Sequence, residues 1–159
     1  MPFQKVVNSY QAPAVAGDFA STNPNASMLA GEGALVAGDS GVTVGVFAWA
    51  DADGKVSNKK ATNGRIGFVH REQQASITGF LDEQGNTILK GQAITLMTGG
   101  DFWAHFPAGA VIGQNVFAKD TDGTLKSSAA ATESGYTLTK FKVASTASAG
   151  ELAKITSWE

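Results

Sequence analysis

Between Arg65 and Phe106 the apolar side chains fall mostly on every second residue, as at Ile66 and Phe68, Ala75 and Ile77, Ile94 and Leu96, and then Phe102. A period of two places one set of side chains on one face of a pleated strand, whereas a helix would need a period near 3.6. Gly79, Gly85, Gly91 and the Gly99-Gly100 pair interrupt the pattern every few residues. That is the punctuation of short antiparallel strands joined by tight turns, so a β-meander is expected at the centre of the chain. The same reading over the whole sequence predicts strands near residues 34–37, 42–50, 65–71, 75–80, 93–97, 101–106, 114–119, 136–144 and 151–157. The fold class is therefore all-β: an antiparallel β-sandwich or jelly-roll-like barrel.

Two hairpins are legible from their turns. In the strand 42–50, Val42, Val44 and Val46 are expected on one face and Thr43, Gly45 and Phe47 on the other, before Asp51-Ala52-Asp53-Gly54 turns the chain into Lys55–Asn58. Asp-Gly tolerates the positive φ that hairpin turns demand. The stretch VFAWADADGKVSN, 46–58, lines up with VFAKDTDGTLKS, 116–127, once one residue is dropped before the turn. Internal pseudo-repetition follows as an expectation, to be judged by whether the two hairpins share a register. Residues 127–134, SSAAATES, show no strand pattern.

The first thirty residues differ in kind. Pro2, Pro13 and Pro24 are three of the four prolines, and between them stand isolated apolar residues, Phe3, Val6, Val7, Tyr10 and Phe19. Proline fixes φ and removes a donor, which bars this segment from the middle of a sheet or a long helix. It reads as an extended arm over residues 1–30, followed by a single β domain over 31–159. The arm either wraps its own domain or lies across a neighbouring subunit, its apolar residues acting as anchors that order on contact. Phe102 and Trp103, adjacent in one strand, must point to opposite faces. One ring is then off the main core, covered by a second layer or free to anchor a subunit contact. Phe3, Val6, Tyr10, Phe19 and Trp103 are accordingly the candidate contact residues.

Chemistry finds little foothold. There is no cysteine, which excludes disulfides and thiolate-zinc sites. Asp51/Asp53 and Asp120/Asp122 open D-x-D-G loops of the calcium type, but Lys55 stands at the fifth position of the first and Ala131 at the twelfth of the second, where oxygen ligands are needed. Structural turns are the better reading. His70-Arg71-Glu72 matches the H-x-E fragment of zinc deaminases without the cysteine pair that chemistry requires; His70 is instead expected to alternate out of the sheet beside a charged pair, on a solvent or interface face. No G-x-S-x-G elbow is present, and GEGALVAG lacks the lysine of a phosphate loop. No catalytic residue, cofactor or metal is expected. A net charge of -2 with scattered lysines argues against a nucleic-acid or membrane partner, either of which would need a basic stripe. The opening MPFQKVVNSYQAPAVAG has no apolar run long enough for a signal peptide, so a soluble, cytosolically made protein is expected.

The strings PAVAGDFAS (13–21), LAGEGALVAG (29–38), FAWADADG (47–54), GFVHREQQA (67–75) and GDFWA (100–104) resemble, in the same order, the structural cement or head decoration proteins of tailed bacteriophages. Departures lie mainly in the loops around 58–63 and 127–134. The resemblance implies a non-catalytic virion protein that is made in the host cytoplasm, binds the outer surface of an icosahedral capsid and clamps neighbouring capsomers. Its implied partners are the major capsid protein and further copies of itself, as a dimer or trimer. The alternative reading is a virion-surface or tail-associated module that recognises a host glycan or receptor through an exposed aromatic such as Trp49 or Trp103.

Overall fold

The computed structural model describes residues 14–72 and 86–158. Among these, every regular element is a strand: β1 (Ala26–Ser27), β2 (Val36–Ala37), β3 (Val42–Thr43), β4 (Phe47–Ala50), β5 (Lys55–Ser57), β6 (Arg65–Phe68) and β7 (Thr87–Ile88). The second half continues with β8 (Met97–Gly99), β9 (Asp101–Phe106), β10 (Asn115–Lys119), β11 (Leu125–Ser128), β12 (Tyr136–Val143) and β13 (Glu151–Thr156). The expected all-β class is the one found. Sheet I has the order β1-β8-β6-β4-β5-β2, sheet II the order β11-β10-β12-β13-β9, and β3 pairs with β7 as a separate ribbon. Pairing is antiparallel except between β2 and β5, which run parallel. Sheet II curls on itself until the Ser127 hydroxyl of β11 donates to the Gly109 carbonyl just beyond β9.

Alternation explains which faces are buried. In β9, Phe102, Ala104 and Phe106 point inward and are fully buried, leaving Asp101, Trp103 and His105 on the outer side. They meet Phe47, Trp49, Phe68 and Met97 of sheet I, together with Phe141, Val143 and Ile155 of sheet II, in the sandwich core. Phe47, Phe68, Phe102 and Phe141 form a ring of contacts across the two sheets, with centroids 5.0–6.4 Å apart. Each fully buried side chain of this size contributes about 1.5–3 kcal/mol, and such aromatic pairs about 0.5–1.5 kcal/mol beyond that. Strand β4 is buried on both faces: Phe47 and Trp49 enter this core, while Ala48 and Ala50 face a second one with Leu35, Val42, Val44, Val56, Val69 and Leu96. The second core lies on the far side of sheet I, beneath the β3–β7 ribbon.

Several expectations are corrected. The stretch from Arg65 to Phe106 is not one meander. β6 pairs with β8, but Gly100, at φ 131°, turns the chain out of sheet I, and β9 pairs with β13 in sheet II. The expected strand 42–50 is two strands. At Gly45, with φ 81°, the chain crosses from the ribbon into sheet I, so that Val42 and Val44 lie in the second core whereas Val46 packs on the first. The three valines therefore do not share a face. Ile94 and Leu96 are buried, yet the strand expected at 93–97 forms only from Met97 onward. Ser127 and Ser128, expected outside any strand, belong to β11, because the backbone ladder to Val116 and Asn115 holds them irrespective of side chain. The strand expected at 75–80 lies outside the described residues. The remaining expectations differ from the observed strands at their ends only.

The two similar hairpins are not repeats. In the first, Ala50 pairs with Val56; in the second, Ala118 pairs with Leu125, although the sequence alignment equates Ala118 with Ala48. The faces are reversed as well: Phe47 points into the sandwich core and Val56 into the second one, whereas the second hairpin sends Val116, Ala118 and Leu125 into the sandwich core.

Candidate interaction surface

The seam where the two sheets meet is closed by the end of the predicted arm. Gly17 donates its N–H to the Trp103 carbonyl (2.8 Å), Trp103 donates to Asp18 (2.9 Å) and Ala20 to Asp101 (2.9 Å), so residues 17–20 lie along the free edge of β9. The Gly17 carbonyl in turn accepts the Arg71 N–H at 2.7 Å, tying this edge to the chain that leaves sheet I. Further along, Ala26–Ser27 pairs with β8. Residues 17–27 are thus built onto both sheets of the described domain. Phe3, Val6 and Tyr10 lie outside the described residues.

Phe19 sits opposite Phe102, its ring 5.2 Å from that of Phe102 and 5.1 Å from His70, and it stays 44% exposed. Cross-strand partners share a face, so Phe19 lies on the inner side of β9 at the seam. Trp103 points the other way. It is half-buried on the outer face, with the Lys154 ammonium 5.1 Å from its ring centroid, a cation–π geometry. The structure therefore places the candidates Phe19 and Trp103 on opposite faces of one edge.

His70, expected to alternate out onto a solvent or interface face, does not do so. It is 8% exposed because Phe19 covers it, with Nε2 3.1 Å from Glu72 Oε1 and Nδ1 without a hydrogen-bond partner among the described residues. Burial holds its pKa below the ordinary histidine value, with Glu72 pulling the other way. The D-x-D-G carboxylates cap their own turns: Asp51 Oδ1 accepts the N–H groups of Asp53 and Lys55, and Asp122 Oδ1 accepts that of Thr124. Among the described residues no three His, Cys, Asp or Glu side chains gather as a metal-holding group.

Two further surfaces escaped the sequence reading. Lys142 faces Thr156 across β12 and β13, and Lys154 faces Trp103, so with Lys140 two residues along they share the outer face of sheet II. The signal was present in T-K-F-K-V, where Phe141 and Val143 take the inner positions. Beside them Trp158, 55% exposed, borders a groove of about 300 Å³ with Asn23, Asp101 and Thr156. Burial works to raise the Asp101 pKa, but hydrogen bonds from Ser21, Thr156 and Asn23 outweigh it and hold the carboxyl below the usual range. The second surface is a groove of about 790 Å³ at the β4–β5 turn, lined by Glu32, Asp51, Asp53 and Arg65, with Leu29 at its rim. Leu29 is 85% exposed, and Arg65 donates to its carbonyl. Of the three tryptophans, Trp49 is buried in the sandwich core.

Comparison with known proteins adds a family. The model described as XM1 gp53 minor capsid protein matches residues 3–157. No curated protein matches the chain. Three chains of solved structures do, among them one from "The capsid of Myoviridae Phage XM1", 16% identical, with a TM-score of 0.67 over 99% of this chain and 98% of that one. At that identity the likeness speaks for the fold.

Proposed function

The chain belongs to the XM1 gp53 minor capsid protein family, and from that premise we propose that it cements the shell of a bacteriophage capsid. The coarse statement, a structural protein of the virion, follows from the family. The finer reading is that it sits on the outer surface, bridges neighbouring capsomers through the major capsid protein and through copies of itself, and performs no catalysis. It is made in the host cytoplasm and joins the shell afterwards.

The observation that carries this reading is the seam. Residues 17–20 are hydrogen-bonded into the edge of β9, so the chain before them, with Phe3, Val6 and Tyr10, is anchored at its root and can serve as the reaching part of the clamp. Its root is itself apolar and accessible, with Val15 and Phe19 exposed. Many copies on one shell make weak single contacts effective.

The test is truncation and add-back. A chain lacking residues 1–13 should stay folded, yet bind particles stripped of the protein far more weakly and fail to restore their heat resistance. Undiminished occupancy would show that the β domain alone does the clamping. Glycan recognition is the second reading, and Trp158 favours it, since an exposed ring beside Asn23 and Asp101 has the make-up of a sugar platform. Copy number separates the two: a cement protein approaches the abundance of the capsid protein in purified particles, and an adhesin is scarce.

A further inference from the structure

We propose that the root of the arm is an acid-released latch: a proton taken up by His70 drives the Phe19 ring off it and frees residues 17–20 from the edge of β9. The device goes beyond the capsid reading and stands without it.

The latch closes on the imidazole. Its ring centroid lies 5.1 Å from that of Phe19, at 83° and so edge to face, and only 8% of His70 reaches solvent. Nε2, 3.1 Å from Glu72 Oε1, carries the hydrogen of the neutral imidazole in order to donate to that carboxylate. Nδ1 is then a bare acceptor, buried and without a partner among the described residues. A second proton turns Nδ1 into a charged donor with nothing to bond, and an unpaired buried charge costs far more than an unpaired neutral acceptor. Water relieves that cost once Phe19 moves. Phe19 is the part of the cover that is free to leave, being 44% exposed on a segment held by few bonds.

Those bonds define what is released. Gly17 and Ala20 donate to Trp103 and Asp101, Trp103 donates to Asp18, and the Gly17 carbonyl accepts the N–H of Arg71, the residue after His70. Among the described residues the charged groups around the imidazole are few. Glu72 and Arg71 come from its own segment, and the Arg71 guanidinium is offset by Asp18 of the arm, 3.8 Å from Nε. From β9 comes Asp101, beside Phe102, whose carboxylate is engaged by Ser21 and Asn23. Burial opposes the proton on His70 and Glu72 favours it; burial wins, so the latched ring binds a proton more weakly than a released one. The latch is therefore intact above the ordinary histidine value of about 6.5 and weakens as pH falls below it, levelling off once the latched ring itself takes the proton.

Amide exchange on the full chain, followed residue by residue by NMR and expressed as protection relative to unstructured peptide at each pH, tests this. Between pH 7.5 and 5.5 the protection of Gly17, Ala20, Arg71 and Trp103 should fall several-fold, within the roughly tenfold per pH unit that one proton allows, while amides of β10 and β12 keep theirs. His70→Gln should hold the seam constant across this range, and Asp18→Asn should keep the wild-type dependence. Seam protection that ignores pH, a loss shared equally by β10 and β12, a dependence that survives His70→Gln or one that vanishes in Asp18→Asn overturns the proposal. If His70→Gln fails to fold, the ring itself reports. The chain has two histidines, His70 and His105, so the His70 imidazole is readily followed by NMR titration in the wild type and in Phe19→Ala. Removing the covering ring should raise its titration midpoint, because proton uptake and opening are coupled reciprocally; an unmoved midpoint overturns the latch.

Discussion

At Gly123 a Cβ would drive into the carbonyl of Phe47, whose N–H donates to the Gly123 carbonyl at 3.0 Å. This residue, at φ 74°, lets the turn after β10 dock on the start of β4. Gly123→Ala combines backbone strain with a clash against backbone that cannot swing away, and should cost about 2–4 kcal/mol, read as a lower urea midpoint with an unchanged slope. His70 makes a second prediction at the same scale. Its folded pKa is depressed by burial despite Glu72, so the unfolded chain binds the extra proton more readily. Stability should therefore fall as pH drops below about 6.5, the ordinary histidine value, and level off once the folded pKa is passed. Thermal unfolding across that range should show the slope in the wild type and a flatter profile in His70→Gln; equal slopes would remove His70 as its source.

Among elements, the segment 17–20 acts as an added strand on the edge of β9. Its contribution is divided between backbone hydrogen bonds, worth about 0.5–1.5 kcal/mol each, and the Phe19 ring, which packs on Phe102 and His70 while 44% exposed. Phe102 is fully buried. Phe102→Ala should cost about 3–5 kcal/mol as a core truncation, and Phe19→Ala clearly less, about 1–2 kcal/mol. Chemical denaturation of the two variants checks the order. Equal losses would mean that the segment belongs to the core as fully as β9 does.

At the scale of the molecule, three layers come from one chain because β4 is covered on both faces and because Gly45 and Gly100 move the chain between layers. The sequence by itself determined what is local. Strict alternation in Asp101–Phe106 fixed which of its side chains turn inward, since successive Cβ atoms point to opposite faces whatever the partner strand is. Asp-Gly marked both hairpin turns because few other pairs accept that backbone. Only the tertiary structure decided which strands become neighbours, that the Gly99-Gly100 pair changes sheets instead of closing a hairpin, and that His70 is buried. The burial of His70 depends on Phe19, and Phe19 is brought there by hydrogen bonds to β9 and Arg71. Such pairings join segments far apart in the chain, and they are chosen by which surfaces can be buried together, a quantity that no short window of residues contains.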